Sequence, residues 1–272
     1  MKRLILALAA TVLLVLAPLG TATATAGARS TAKPTIVFVH GAFADSSGWN
    51  AEIAALRKLG YPVLAAPNPL RGLSADADYV RSILQTVAGP VVLVGHSYGG
   101  AVITNAARGT ANLKALVYVG AFIPDQGESI ATVLDPRKYP GSLLGPDTTT
   151  VRPYPNPAAS GGTDYDVYIK PESFRAVFAA DLPANTAALM AATQRPLSVT
   201  ANNEQSGEPA WKTIPSWALI TLDDRAIPAA GQRFMAERAH ARIRIVHSSH
   251  AVMVSHPDAV VSIVLAAAGS LG

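Results

Sequence analysis

The sequence predicts a protein of the α/β class, with a mostly parallel sheet of about six strands flanked by helices and a helical cap inserted after the fourth strand. Short β-branched runs alternate with longer helical stretches from residue 35 onward, which is typical of parallel strands joined by crossover helices. The alternation is interrupted once, by a segment with many prolines and glycines between residues 124 and about 213. With 272 residues, 50% of them apolar, the chain is long enough to bury one substantial core.

The elements before the interruption follow in order along the chain. Strands are predicted at TIVFVHG (35–41), YPVLAAP (61–67), PVVLVG (90–95) and ALVYVGAF (115–122). The third is nearly all apolar, as expected when helices cover both faces of a parallel sheet. Between the strands, apolar residues recur at helical spacing and predict helices at residues 44–60, 74–89 and 99–109.

The interrupting segment is interpreted as a cap that lies over the sheet. Its Tyr, Phe, Leu and Met content favours packing over disorder, and two stretches, 172–183 and 184–196, have helical character. After the cap the alternation resumes. Strands are predicted at SWALITL (216–222) and RIRIVHS (242–248), with helices at 229–240 and 257–269.

Residues 1–26 have the pattern of a secretory signal peptide, and residues 27–272 are predicted to form a single domain. The positive start MKR precedes about 16 apolar residues interrupted by Pro18, and small-residue A-x-A sites follow. A transmembrane anchor is disfavoured because this run is shorter than the ~20 residues that span a bilayer. Cleavage after Ala26 or Ala28 predicts a secreted protein that is not held at a membrane.

Charge and cysteine content narrow the classes of partner. The formal charge of +4 includes Lys2 and Arg3 of the predicted signal, and no basic run is present, so nucleic acid is not an expected partner. The chain has no cysteine, so disulfides do not stabilise it. No cofactor or metal is expected, because the histidines at 247, 250 and 256 do not have a common ligand spacing. Composition predicts no oligomeric state.

The stretch VVLVGHSYGGAV places Ser97 between the third predicted strand and the helix after it. A serine on a sharp strand-to-helix turn is forced outward, and small residues two before and two after it let the backbone segments approach each other. Gly95 and Gly99 occupy those positions in the pattern G-x-S-x-G. Ser97 is therefore a candidate nucleophile.

A serine hydroxyl needs a base, and the histidines near the last strand are the candidates. His250 follows that strand at the carboxyl edge of the sheet and is the preferred base. His247 and His256 are rivals, each with an ordinary structural role available. His96 lies inside the turn with its ring expected to point away from the serine, and His40 is expected to brace the loop at the end of the first strand.

The base needs a carboxylate that holds its tautomer. Asp223 and Asp224 follow the fifth strand at the same sheet edge, and Asp125 follows the fourth. Asp224 is preferred because its spacing to Pro228 places it in the loop before the next helix. The alternatives Asp223 and Asp125 remain open on the sequence.

Two backbone amides are expected to form an oxyanion hole, which stabilises the charge that develops on the attacked carbonyl. One amide is that of Tyr98, at the start of a helix. The other comes from the loop after the first strand, at Ala42. Six apolar or aromatic residues are candidates for a substrate pocket, with Phe43 and Trp211 preferred, although an ordinary core role suits each of them: Phe43, Tyr98, Phe174, Phe178, Met190 and Trp211.

Together these segments resemble the α/β-hydrolase superfamily over nearly all of the chain after residue 26. The resemblance rests on VFVHGAFADSSGW, VGHSYGG, AFIPDQGES, DDRAIPAAGQRFMAERA and SSHAVMVSHPDAV. These segments are most similar to the small carboxylesterases related to plant methylesterases and hydroxynitrile lyases. The resemblance implies Ser97 as nucleophile, Asp224 as acid and His250 as base, with the amides of Ala42 and Tyr98 as the oxyanion hole.

The resemblance implies a serine esterase that cleaves small carboxylic esters through an acyl-enzyme. Hydroxynitrile lyases of the group use a lysine beside the catalytic histidine, where this chain has Ala251, so cyanohydrin cleavage is not expected. A perhydrolase or lactonase with the same three residues is an alternative. So is a binding protein that keeps the fold and does not turn its ligand over.

Overall fold

The computed structural model describes residues 33–133 and 135–271. The predicted signal peptide, residues 1–26, lies outside them. Within the described residues the strands are β1 (Thr35–Val39), β2 (Val63–Ala66), β3 (Val91–His96), β4 (Leu113–Val119), β5 (Thr149–Pro155), β6 (Thr163–Ile169), β7 (Leu197–Ser198), β8 (Ser216–Thr221) and β9 (Arg242–Val246). The α-helices are α1 (Asn50–Lys58), α2 (Leu73–Gln85), α3 (Tyr98–Ala106), α4 (Ile130–Val133), α5 (Pro171–Phe178), α6 (Ala184–Thr193), α7 (Val199–Asn203), α8 (Ala229–Arg238), α9 (Val252–Ser255) and α10 (Pro257–Gly269).

The main sheet has six strands in the spatial order β2-β1-β3-β4-β8-β9, and every adjacent pair is parallel. These are the six strands that the sequence predicts, so the α/β class and the mostly parallel sheet are confirmed. All six residues of β3 are buried. Since alternate side chains of a strand point to opposite faces, both faces of the sheet are covered at its centre.

Helices cover the sheet and carry the rest of the core. Helix α1 packs on α10, and α2 packs on α3, which also contacts β3. Because parallel strands all point the same way, their carboxyl ends meet at one edge, and the loops that follow β1, β3, β8 and β9 meet there. None of the helices within residues 33–133 and 135–271 has the length and apolar character that a bilayer crossing requires.

The segment between β4 and β8 differs from the prediction in one respect. It contains the expected helices, but β5, β6 and β7 also form a three-stranded antiparallel sheet. The sequence predicts helices and no strand in this segment. Strand β5 includes Pro153 and Pro155, and proline interrupts a ladder of backbone hydrogen bonds. Strand β5 tolerates both because it is an edge strand, paired on one side only.

Candidate active site

Ser97 lies on the sharp turn between β3 and α3, as the sequence predicts. Its backbone has φ 54° and ψ −125°, in the left-handed half of conformational space that a non-glycine residue rarely adopts. A residue is held in such a conformation only where the surrounding structure enforces it, and such residues cluster at functional sites. The turn places Ser97 at the wall of a cavity at the carboxyl edge of the sheet.

The glycines around Ser97 are required by close backbone contacts. A Cβ atom on Gly95 would lie 2.6 Å from the carbonyl oxygen of Gly99, and one on Gly99 would lie 2.5 Å from the carbonyl oxygen of Val39. A Cβ on Gly41, in the loop after β1, would lie 2.6 Å from the Cβ of Ser97. The turn is therefore packed at backbone distance against the loop that is expected to supply an oxyanion donor.

His250 and Asp224 form a buried pair. Nδ1 of His250 lies 2.7 Å from Oδ2 of Asp224, and their side chains are 1% and 0% exposed. A carboxylate only accepts hydrogen bonds, so Nδ1 carries the proton and Nε2 keeps its lone pair. His250 is thereby held in the tautomer that can accept a proton from a hydroxyl.

The carboxylate of Asp224 is fixed by four donors besides His250. Its Oδ1 accepts from the backbone amides of Ala226 and Ile227, each at 2.8 Å. Its Oδ2 accepts from the hydroxyl of Thr221 at 2.8 Å and from the side-chain amide of Gln232 at 3.0 Å. Hydrogen bonds of this kind stabilise the charged form of a buried carboxylate and fix its direction.

The rival acids and bases lie elsewhere. Asp223 pairs with His247 at 3.3 Å on the surface, where both side chains are exposed. Asp125 forms an ion pair with Lys212. His256 contacts the hydroxyl of Ser255. Of the candidates, the structure brings only Asp224 to His250.

Ser97 and His250 line the same cavity. No hydrogen bond joins the Ser97 hydroxyl to His250 within the described part of the chain. Contacts between a nucleophile and its base are often loose without substrate and tighten in the complex.

The loop after β1, which is expected to supply an oxyanion donor, is held on both sides of Ala42. On one side, Nδ1 of His40 donates to the carbonyl of Gly41 at 2.9 Å, and Nε2 of His40 accepts from the backbone amide of Asn68 at 3.1 Å. On the other side, the amide of Phe43 donates to the carbonyl of Arg195 in the cap at 2.8 Å. His40 therefore braces this loop, as the sequence analysis expects.

Both expected oxyanion donors are available. Among the described residues, the amides of Ala42 and Tyr98 donate to no other protein group, and both residues line the cavity that holds Ser97. The side chain of Tyr98 makes a separate hydrogen bond, in which its hydroxyl donates to Asp76 at 2.8 Å. Burial and the neighbouring Asp76 raise the pKa of Tyr98 well above its ordinary value, so the hydroxyl remains a donor.

His96 has a positioning role that the sequence did not indicate. Its Nε2 donates to the carbonyl of His250 at 2.9 Å, and the two rings are 4.6 Å apart. Complete burial, followed by the proximity of His250, lowers the pKa of His96 well below 6.5. His96 therefore stays neutral and holds the backbone of the candidate base.

Asp181, between α5 and α6 in the cap, holds the loop before His250. It accepts from the backbone amide of Ser249 at 3.0 Å, from the Ser249 hydroxyl, and from the Ser248 hydroxyl at 3.1 Å. Although partial burial opposes it, these hydrogen bonds lower the pKa of Asp181 below its ordinary value. No sequence signal pointed to Asp181, because it lies 68 positions from Ser249.

The cavity has a volume of about 460 Å³ and lies between the sheet edge and the cap. Residues from the sheet side include Ala42, Phe43, Ser97, Tyr98, Ile227 and His250. Residues from the cap side include Ile130, Leu144, Val151, Val167, Leu197 and Asn202. Along the described chain no Asp, Glu, Lys or Arg side chain lines it. A ligand in this cavity meets apolar groups and a few neutral polar ones.

The six apolar and aromatic candidates for the pocket separate into three groups. Phe43 and Tyr98 line the cavity, as predicted. Phe178 packs edge-on against the ring of His250, with centroids 4.8 Å apart, and stacks on Phe174. The structure does not bring Trp211 or Met190 to the cavity lining. The indole nitrogen of Trp211 instead donates to the carbonyl of Pro124 at 3.0 Å.

The six-stranded parallel sheet and the sharp turn at Ser97 define the class of protein, an α/β fold whose strand-to-helix turn has the geometry of a nucleophile elbow. The model of the alpha/beta hydrolase family matches residues 36–263, and the chain belongs to that family. An alpha/beta hydrolase of Aspergillus novofumigatus is 29% identical over 266 residues, which cover 87% of this chain and 97% of that protein.

Two further comparisons agree with this assignment. A carbendazim-hydrolysing esterase of a Nocardioides species is 36% identical over 117 residues, which cover 38% of this chain and 48% of the esterase. Polyneuridine aldehyde esterase has the same fold, with a TM-score of 0.72 at 18% identity over 86% of this chain and 98% of that one. The chain is thus similar to hydrolases, including esterases.

Proposed function

We propose that this protein is a secreted serine esterase that cleaves small, neutral, largely apolar carboxylic esters. The observation that carries the proposal is the buried 2.7 Å contact between His250 and Asp224, beside a cavity that both His250 and Ser97 line, with Ser97 on a strained turn. A purely ligand-binding protein has no use for this arrangement. The uncharged cavity suits a neutral ester, and the similarity to an esterase supports the same reaction type.

In the proposed reaction, the Ser97 hydroxyl attacks the ester carbonyl while Nε2 of His250 takes its proton. Asp224 stabilises the imidazolium that results. The amides of Ala42 and Tyr98 donate to the oxyanion, a contribution typically worth about 3–4 kcal/mol for each such donor. His250 then protonates the departing alcohol, and a water molecule activated by His250 releases the acid from Ser97.

The experiment uses purified protein and p-nitrophenyl acetate. We expect a burst of p-nitrophenol followed by steady turnover, and a loss of at least about 10³-fold in kcat for Ser97→Ala. Ser82→Ala, on the exposed side of α2, is the matched control and should keep full activity. Hydrolysis that survives in Ser97→Ala would refute the proposal. Stoichiometric retention of an ester without product would favour a binding protein instead.

Secretion is proposed from the pattern of residues 1–26 alone. Expression of the full chain in a secreting host should release a protein that begins at Gly27 or Arg29. N-terminal sequencing of the protein from the medium tests this. An intact Met1 on protein found only inside the cells would contradict it.

A further inference from the structure

The hairpin β5–β6 in the cap has two faces of opposite character. Residues directly opposite each other in an antiparallel pair share a face, and alternate pairs share the same face. The register places Thr149 opposite Ile169, Val151 opposite Val167, and Pro153 opposite Tyr165. These pairs form one face, which is apolar apart from Thr149.

This apolar face points into the cavity. Thr149, Val151 and Val167 line it, and so does Leu197 of β7, which lies opposite Val167. Exposure rises across this row of the three strands. Leu197 is buried, Val167 is partly buried, and Val151 is 54% exposed. The row therefore runs from the interior of the cavity to the solvent.

The next pair along the hairpin, Pro153 and Tyr165, continues the same face outside the cavity. Both residues are exposed, Tyr165 by 46%. They lie two residues further along each strand, roughly 7 Å from the preceding pair. Val151, Val167, Pro153 and Tyr165 together form what we call the apolar strip.

The opposite face of the hairpin is polar, and its side chains have partners. Asp166 accepts from Arg71 at 2.7 Å, Asp164 accepts from the Tyr154 hydroxyl at 2.9 Å, and Arg152 stacks over Tyr168. That face ties the cap to the loop before α2. Within residues 33–133 and 135–271, the side chains of Pro153 and Tyr165 at the outer end of the apolar strip form no hydrogen bond, ion pair or aromatic contact, although exposing apolar area to water is unfavourable.

From this we infer that the apolar strip extends the cavity as an open subsite for the longer hydrocarbon arm of an ester substrate. The inference rests on the proposed function and deepens it, because it names elongated apolar esters as the preferred substrates. The strip is continuous with the wall of the cavity that Ser97 also lines, so an arm too long for the enclosed space lies along Val151 and reaches Tyr165. An arm short enough to stay in the cavity does not touch Tyr165.

The test measures kcat/KM for two homologous series, p-nitrophenyl esters from acetate to dodecanoate and acetates of straight-chain alcohols from butyl to dodecyl. In Tyr165→Ser, the longest members of one series should lose about five- to tenfold in kcat/KM, whereas p-nitrophenyl acetate should be unchanged. Tyr165→Trp, which keeps a large apolar side chain, should retain the preference for long chains. Tyr79→Ser, at a tyrosine of similar exposure on α2, is the control and should change neither series.

If Tyr165→Ser lowers kcat/KM equally for short and long esters, or lowers it in neither series, the inference is overturned. A binding measurement separates its failure from that of the proposed function. Titration calorimetry of 1-decanol and 1-butanol with Ser97→Ala needs no turnover. Adding Tyr165→Ser to Ser97→Ala should weaken the binding of 1-decanol and leave the binding of 1-butanol unchanged. Equal affinity for 1-decanol with and without the tyrosine would count against the strip, even if hydrolysis at Ser97 is established.

Discussion

The turn at Ser97 and the cap differ in how many side-chain substitutions their surroundings can accommodate. Every residue of β3 and α3 is buried, and Gly95 and Gly99 contact backbone atoms so closely that a single methyl group does not fit. The cap hairpin is largely exposed on β5. It contacts the sheet domain through the ion pair between Arg71 and Asp166.

This difference separates two tasks. The sheet edge holds the groups proposed to do the chemistry, whose relative positions have to be accurate to a fraction of an ångström. The cap supplies most of the remaining cavity wall, where a change of side chain alters which ligand fits without moving the reacting groups. In the cap, Asp181 contacts the segment that carries the candidate base, and Arg195 contacts the loop after β1.

The largest effect is expected from a substitution in the candidate site at the sheet edge. Asp224→Asn should lower kcat about 10⁴-fold, because an amide does not stabilise the imidazolium and can hold the wrong tautomer of His250. Steady-state kinetics with a p-nitrophenyl ester measures this. Asp223→Asn is the neighbouring control and should remain within about twofold of the wild type, since its contact with His247 is exposed. The reverse ranking would assign the acid to Asp223.

A second change tests the absence of space at the turn. Gly99→Ala should lower the free energy of unfolding by about 3 kcal/mol, because the added Cβ would lie 2.5 Å from the carbonyl oxygen of Val39. Urea unfolding followed by circular dichroism measures the loss. Gly269→Ala, where no atom lies within 4 Å of the new Cβ, should be neutral or slightly stabilising. Equal stabilities of the two variants would show that the turn is more adaptable than its contacts indicate.

A third change concerns Glu52, a carboxyl group that is buried in the sheet domain and does not belong to the candidate site. Glu52 in α1 is fully buried, and neither of its carboxyl oxygens has a hydrogen-bond partner among the described residues. Burial raises the pKa of Glu52 from 4.5 to about 8. Between these values the unfolded chain is ionised while the folded protein keeps the proton. Folding therefore loses stability as the pH rises from about 4.5 to 8.

Glu52→Gln should remove this dependence. Its stability relative to the wild type should rise by about 2 kcal/mol between pH 5 and pH 8, below the upper limit of about 5 kcal/mol that the pKa shift sets. Urea unfolding at pH 5, 6.5 and 8 measures the difference. If the free energy of unfolding depends on pH in the same way in both proteins, the carboxyl group of Glu52 is hydrated or paired.

The smallest effect is expected from a substitution at a contact between the cap and the sheet edge. Asp181→Asn should lower kcat by about three- to tenfold with little change in KM, because the loop before His250 loses a charged acceptor. Ser249→Ala should show a similar loss, and the double variant should lose no more than the larger single effect if the two residues act together. Asp125→Asn, which changes a carboxylate paired with Lys212 and not with the loop before His250, is the control. Additive losses would indicate independent roles.

Local patterns in the sequence determined the strand order along the chain, the turn at Ser97, and the sheet edge that carries Ser97, Asp224 and His250. These features depend on periodicity and on glycines a few positions apart, which a single segment encodes. The choice between Asp223 and Asp224 did not follow from such a local pattern. Adjacent residues on a loop point in different directions, and only the fold decides which of them meets His250.

Tertiary structure alone decided the rest: the bond from His96 to the His250 backbone, the contact of Asp181 with Ser249, and the antiparallel sheet in the cap. The two side-chain contacts join segments 154 and 68 positions apart, so no local pattern carries a signal for them. In the cap sheet, β7 joins the hairpin β5–β6 from a later part of the chain. The register that aligns Val151 with Val167 and Pro153 with Tyr165 likewise arises from pairing between strands. Packing of distant segments, which buries apolar area and satisfies backbone polar groups together, selects such pairings from many that local propensity allows.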